Sequence, residues 1–306
     1  MRILITGATG LVGSEITRLC HEKGISVNYL TTSKSKLEKS ETFKGFYWNP
    51  GEGKIDEGCL EGVGAIINLA GANVFQPWTS SAKKKILDSR IDSLQLLHRL
   101  LKEHTHEVRQ LVSASAIGIY PSSPTKMYEE DEQEVAGNFL GEVTRKWEAA
   151  ADEIKETGIF VSKVRIGIVL AADGGALPQI IKPVKFNLGA ALGSGQQWQS
   201  WIHISDLARI FLFLIQQGLE GVYNGVAPNP KTNEDLTREV ALALDKKLWL
   251  PKVPGFALKL AMGDKSNIVL GSQLVSSKKI EDKGFDFHYV NLRKAIRDIM
   301  HKKTGN

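Results

Sequence analysis

Three glycines stand three residues apart in Thr6-Gly7-Ala8-Thr9-Gly10-Leu11-Val12-Gly13, directly after the apolar run Ile3-Leu4-Ile5. That spacing suits the holding of a pyrophosphate. The first glycine permits a sharp turn, the second lets the backbone approach the phosphates, and the third lets a helix pack closely on the strand. The helix N-terminus adds unpaired N–H groups and a favourable dipole. Gly7, Ala8, Thr9, Gly10, Leu11 and Val12 are therefore expected to cradle the pyrophosphate of a nicotinamide dinucleotide.

The next apolar run ends in Leu30-Thr31-Thr32-Ser33-Lys34-Ser35-Lys36. A site for NAD expects an Asp or Glu at this strand end, bonded to the ribose 2′-hydroxyl. No acid lies there. Thr31, Thr32, Ser33 and Lys34 offer hydroxyl and ammonium donors suited to a 2′-phosphate, so NADP (NADPH) is the expected cofactor.

The elements that must position these residues follow from periodicity. Ile3–Thr6, Ser26–Thr31, Phe43–Trp48, Ala65–Leu69, Gln110–Ser115 and Phe160–Leu170 read as strands. Ser14–Lys23, Ser80–Glu103 and Phe139–Thr157 read as helices between them. Strands apolar on both faces and separated by helices imply a parallel sheet covered on both sides. The fold class is thus α/β, a Rossmann-type doubly wound parallel sheet over residues 1–170. Beyond Leu170 the pattern changes to glycine loops, a strand at Trp198–His203, and helices at Asn233–Leu244, Phe256–Met262 and Leu292–His301. Residues 171–306 are expected to form a smaller C-terminal substrate lobe interleaved with the sheet, with disorder only near His301–Asn306.

Composition excludes several classes. The net charge of +5 and pI near 9.0 admit nucleic-acid binding. The lysines are nevertheless dispersed among acids, without interleaved aromatics, so nucleic acid is not an expected partner. No apolar run approaches the roughly 18 residues of a membrane span, and the N-terminus opens directly into a strand pattern rather than a secretory signal. Cys20 and Cys59 are too few and too far apart for a disulfide scaffold. A cytoplasmic protein is the expectation. His98, His104 and His106 read as a solvated helix end, and no metal is expected.

Asn68-Leu69-Ala70-Gly71 and Ser113-Ala114-Ser115, taken with the glycine turn, resemble the short-chain dehydrogenase/reductase superfamily. Trp201-Ile202-His203-Ile204-Ser205-Asp206 is similar to its extended, sugar-nucleotide epimerase branch. Trp147-Glu148-Ala149-Ala150, Val164–Leu170 and Asn224–Pro230 resemble the atypical epimerase-like subfamily of uncharacterised function. Residues 248–298 resemble that subfamily's own C-terminal domain.

The resemblance implies that Leu69, Ala70, Gly71 and Ser113 line the cofactor, and that Ser115 sits where the superfamily's catalytic serine polarises a substrate oxygen. Arg90 stands where the superfamily usually has Asn, with a cofactor or internal ion-pair role; Arg165 pairs with a ligand anion or caps a loop. The superfamily's Tyr and Lys, four residues apart on one helix, are missing. Anchoring on Trp147-Glu148 puts Leu140 at the Tyr position and Thr144 at the Lys position, and no tyrosine occurs between Glu129 and Glu156. Thr144 can still donate to a ribose, and Tyr120 is the nearest phenol able to replace the missing one, although packing suits it better. His203 and Asp206 are expected to be structural. Trp78, Trp198 and Trp201 either line a ligand pocket or fill core.

The leading expectation is an NADP-binding epimerase- or reductase-like protein with hydride chemistry on a small polar substrate, sugar-nucleotide-like or carbonyl. The alternative is a non-catalytic NADPH sensor or partner-binding protein. The superfamily often dimerises through helices resembling Ser80–Glu103 and Phe139–Thr157, so a homodimer is an expectation here, weakened by the polar stretch Thr79–Lys85.

Overall fold

A computed structural model describes residues 1–304, with side chains through His301; positions 305 and 306 of the expected disordered tail lie outside the described residues. In chain order the elements are β1 Arg2–Thr6, α1 Leu11–Glu22, β2 Ser26–Thr31, β3 Phe43–Asn49, β4 Lys54–Ile55, β5 Val63–Asn68, α2 Ser80–Glu103, β6 Gln110–Ala116, β7 Met127–Tyr128 and α3 Phe139–Glu153. Then come β8 Phe160–Ile166, β9 Ile168–Leu170, α4 Leu177–Lys185, β10 Trp198–Gln199, β11 Trp201–His203, α5 Ile204–Gln216, β12 Gly221–Gly225 and β13 Lys231–Thr232. The chain closes with α6 Asn233–Ala243, α7 Gly255–Met262, α8 Asn267–Leu270, β14 Leu274–Val275, α9 Lys278–Asp282 and α10 Leu292–Thr304. The last helix thus carries the chain to Thr304, beyond the point where disorder is expected to begin.

The chain forms two compact units, each drawn from separated segments. The first comprises Met1–Ile119, Gly137–Arg165 and Ala208–Tyr223; the second comprises Tyr120–Ala136, Ile166–Leu207 and the chain from Asn224 onward. Eight strands, drawn almost wholly from the first unit, form one sheet in the order β12-β8-β6-β5-β1-β2-β3-β4. β1 pairs in parallel with both β2 and β5, β2 with β3, and β5 with β6. The order reverses between β1 and β5, and in such sheets ligands bind outside the strand carboxyl ends at this reversal. The glycine turn leaves β1 there and Leu69–Gly71 leaves β5.

Each element of this unit has a local cause. Residues 3–6 of β1 are buried, as a parallel sheet covered on both faces requires. α1 buries Gly13, Ile16, Thr17, Leu19 and Cys20 along one face. Thr79 caps α2 by accepting the Ala82 N–H, and Asn138 caps α3 by accepting that of Gly141. No helix among the described residues is long and apolar enough to cross a membrane.

The second unit has its own core, in which Leu170, Leu177, Val184, Trp201, Leu236, Val240 and Ile296 are buried together. The strand expected over Phe160–Leu170 is two strands. At Gly167 the backbone runs so close to Ser200 that a Cβ would lie 2.3 Å from the Ser200 carbonyl oxygen, and the Gly167 N–H bonds Gly225. β9 pairs with β11 instead of continuing β8. The strand expected over Trp198–His203 likewise divides at Ser200, leaving β10 to pair with β13.

Both thiols are fully buried, which pushes each up to about 12. Native protein at pH 8 should therefore leave Cys20 and Cys59 unreactive towards a disulfide exchange reagent, with both reacting on unfolding. A Cβ on Gly13 would lie 2.1 Å from the Gly7 carbonyl oxygen and 2.7 Å from Ala8 Cα. Gly13→Ala should cost about 1–3 kcal/mol or more in urea unfolding; an unchanged midpoint would show that this contact is not rigid.

Candidate functional site

The sequence-predicted residues of the cofactor turn come together at the carboxyl ends of β1 and β5. Gly7 adopts a left-handed conformation, with φ of +70°, and a Cβ there would meet the Leu69 carbonyl oxygen at 3.2 Å. The Gly10 N–H closes the turn onto the Gly7 carbonyl at 2.9 Å. Gly10 is also the N-cap of α1, where no side chain caps the helix and no acid stands in the first turn. The amides of Leu11 and Val12 thus lie in an uncapped first turn, positively polarised and suited to an anion. Thr9 and Gly10 are exposed, whereas Ala8 is buried.

Beneath this turn Thr6 uses its whole hydrogen-bonding capacity. Its hydroxyl donates to Asn68 Oδ1 at 2.8 Å and accepts the Leu69 and Ala70 N–H groups at 2.9 and 3.0 Å. Asn68 Nδ2 in turn donates to Ser113 Oγ at 3.3 Å, and Ser113 donates to the Ala114 carbonyl. The amides of Leu69 and Ala70 are therefore taken, and fully buried Ser113 is part of the support beneath the strand ends.

At the end of β2, Thr31 Oγ1 accepts the Ser33 N–H, Ser33 shares a hydrogen bond with Ser35, and the Lys34 ammonium lies 5.2 Å from the Tyr47 ring centroid. Thr32 and Lys34 are exposed. This strand end carries donors and no carboxylate, which fits a phosphate better than a bare hydroxyl.

Ser115, at the end of β6, is held by Glu148 of α3. Its hydroxyl donates to Glu148 Oε1 at 2.6 Å. Arg165 on β8 grips the same carboxylate through both oxygens, Nε to Oε1 at 2.8 Å and Nη2 to Oε2 at 3.0 Å. Lys163 stands 3.9 Å from Glu148 Oε2 and bonds Asp152 at 2.6 Å. Ser115, Glu148, Lys163 and Arg165 are all buried. Glu148 follows Leu140 and Thr144 at intervals of four, so the three share one face of α3. That shared face was the signal available in sequence.

The remaining candidates find other partners. Thr144 donates its only hydroxyl proton back to the Leu140 carbonyl at 2.8 Å, so the donor expected for a ribose is committed to its own helix. Leu140 packs near Gly118. Arg165 is engaged with Glu148, whereas Arg90 bonds two backbone carbonyls over the Trp147 ring, so of its two expected roles the internal ion pair is not formed. Tyr120 belongs to the second unit, where it donates to Asn224 Oδ1 at 2.8 Å and stacks on Tyr128. His203 stacks on Tyr289 at 3.7 Å, and Asp206 accepts the His288 and Tyr289 N–H groups. Trp78, Trp198 and Trp201 each donate their indole N–H to a nearby carbonyl, those of Val74, Pro124 and Asn229; fully buried Trp201 fills core.

Residues 3–225 match the model of the NAD dependent epimerase/dehydratase family. The chain belongs to this family. Residues 253–299 match a further model, a domain of unknown function, DUF1731, in the region where the sequence resembles the atypical subfamily's C-terminal domain. An epimerase family protein of Arabidopsis thaliana, the chloroplastic SDR39U1 homolog, is 37% identical over 98% of this chain and 87% of its own length. An epimerase family protein of Staphylococcus aureus is 36% identical over 98% and 99%. The crystal structure of the human epimerase family protein SDR39U1, isoform 2, with NADPH superposes with a TM-score of 0.84 at 28% identity, covering 98% of this chain and 99% of that one. UDP-glucuronic acid 4-epimerase of Bacillus cereus, at 15% identity and a TM-score of 0.79 over 99% and 100% of the two chains, shares the fold. The sequence resemblance therefore holds across the chain, and the parallel sheet has the Rossmann-type fold.

Glu148→Ala leaves Arg165 and Lys163 as buried cations without their shared carboxylate, which should cost about 3–5 kcal/mol in chemical denaturation. Ser115→Ala removes a donor from a carboxylate that keeps its guanidinium, and should cost about 1–2 kcal/mol. Equal losses for the two variants would show that the ion pair does not anchor the site.

Proposed function

We propose that this protein binds NADPH and carries out hydride chemistry on a small polar substrate beside Ser115. The observation that carries the reading is the uncapped first turn of α1 at the sheet's reversal point, joined to a β2 end that lacks any acid. The human relative, solved with NADPH, supports the same choice of cofactor.

In this reading the amides of Leu11 and Val12 take the pyrophosphate, and the absent side chain at Gly10 admits it. Thr32, Ser33 and Lys34 take the 2′-phosphate. The nicotinamide, when bound, supplies or accepts a hydride at C4. Ser115 differs from the expectation of a donor to a carbonyl, because its single proton is committed to Glu148. Towards a ligand Ser115 Oγ presents lone pairs, so it accepts from a substrate hydroxyl. A proton leaving that hydroxyl passes to Ser115 Oγ as the serine's own proton moves to Glu148 Oε1. Arg165 holds the carboxylate in place for this transfer. The substrate oxygen is thus read as a carbinol when the bound cofactor is NADP+, which would take the carbinol hydride, and with NADPH the same steps run in reverse from the carbonyl.

A second reading, a non-catalytic protein that senses NADPH, is favoured by α3 itself. It carries Leu140 where the superfamily has its proton donor, and a back-bonded Thr144 where it has its lysine.

Titration followed by nicotinamide fluorescence should give NADPH at least tenfold tighter than NADH, a difference of about 1.4 kcal/mol. Lys34→Ala should erase most of that preference while leaving NADH affinity unchanged. Equal affinity for the two cofactors would contradict the 2′-phosphate assignment. Turnover of nucleotide sugars or carbonyls, lost in Glu148→Gln, supports the catalytic reading. Tight NADPH binding with no turnover, and a change in self-association or partner binding on adding NADPH, supports the second.

A further inference from the structure

Arg90 lies within α2, one residue after Ser89, whose hydroxyl accepts the Ala72 N–H and so fixes the Gly71 loop on this helix. The guanidinium rests over the Trp147 ring, 4.8 Å from its centroid. It also occupies the space that a side chain at position 71 would need: a Cβ on Gly71 would fall 2.9 Å from Cζ and 3.1 Å from each terminal nitrogen. Both of its hydrogen bonds, to the carbonyls of Ile86 and Ala72 at 2.8 and 3.2 Å, leave from Nη1. Nε–H and the two Nη2 protons have no protein acceptor among the described residues, and no carboxylate there pairs with Arg90. Burial pulls the guanidinium down to about 10, with no acid opposing the shift.

Arg90 is half-buried, so its guanidinium is only partly screened by water and attracts a neighbouring anion more strongly than a fully exposed cation would. The contrast with Arg165, two of whose nitrogens are spent on Glu148, is direct. The cofactor's own anions have separate donors in the reading above, the pyrophosphate at α1 and the 2′-phosphate at Thr32–Lys34. Trp147 also precedes Glu148 on α3, which puts Arg90 beside the helix segment that holds Ser115.

We propose that Arg90 is the receptor for an oxyanion, a carboxylate or phosphate, carried by the substrate. This rests on the NADPH reading and deepens it by naming the substrate class, a small anionic carbinol or carbonyl compound. A planar fork backed by an indole and by a glycine suits two-point contact with a carboxylate or phosphate, which a lysine ammonium does not reproduce. Gly71 is then a specificity residue as well, since it is the space in which the fork lies.

The test is titration of NADPH-saturated protein with oxalate and, separately, inorganic phosphate, followed by tryptophan fluorescence. Wild type should bind at least one of them saturably at millimolar concentration; the tighter of the two shows whether the group is carboxylate or phosphate. Arg90→Gln should weaken that binding at least tenfold, and Arg90→Lys less, with NADPH affinity within threefold of wild type in both. Gly71→Ala, which keeps the charge but displaces the fork, should also weaken the anion, and it decides the matter if Arg90→Gln fails to give a cooperative melt. Anion binding that ignores all three substitutions, or is missing in wild type, overturns the proposal. So does a tenfold loss of NADPH affinity in Arg90→Gln, which would make Arg90 a cofactor residue. Failure of wild type to bind NADPH refutes the earlier reading instead, and is seen before any anion is added.

Discussion

The buried carboxylate of Glu148 joins three elements of the nucleotide-binding unit, and the candidate site depends on it. Arg165 reaches it from β8 and Ser115 from β6, while Glu148 itself stands on α3. Charges taken out of water repay their desolvation only when the geometry is good and the remaining bonding capacity is used. Here both carboxylate oxygens are occupied, so the register of α3 against the sheet is tied to one arrangement. The same bond fixes the serine rotor. Ser115 consequently faces any ligand as an acceptor, which alters what it is able to recognise.

This carboxylate also accounts for a helix that has lost its usual chemistry. Leu140 and Thr144 need no charge to hold α3 in place, because the ion pair one turn beyond Thr144 does so. The uncapped amides at α1 lie apart from this ion pair, and the Thr6 hydroxyl braces the strand ends beneath them. Arg90 stands apart from both, a cation whose fork is shaped by Trp147 and Gly71 rather than by an acid.

The sheet was legible in sequence because its strands are apolar on both faces, a pattern that carries through β1, β2, β5 and β6. The glycine turn was legible because each glycine answers a distinct steric demand; a Cβ at Gly13 has no room at all. The partnership of Glu148 was not. A carboxylate on a helix and an arginine on the following strand are both ordinary until tertiary packing brings them within 3 Å. The sharp break at Gly167 was hidden for a related reason, since an apolar run says nothing of a neighbouring backbone that approaches too closely for a side chain. Thr144 and Tyr120 had the right chemistry by residue type, but local bonds commit both: one to its own helix, the other to Asn224.

The most direct measurement is amide hydrogen exchange with and without saturating NADPH. Slowed exchange is expected at residues 7–13, 31–36 and 69–72, with NADH giving weaker protection at 31–36. Protection confined to other segments, or none at a concentration that saturates binding, would contradict this cofactor assignment.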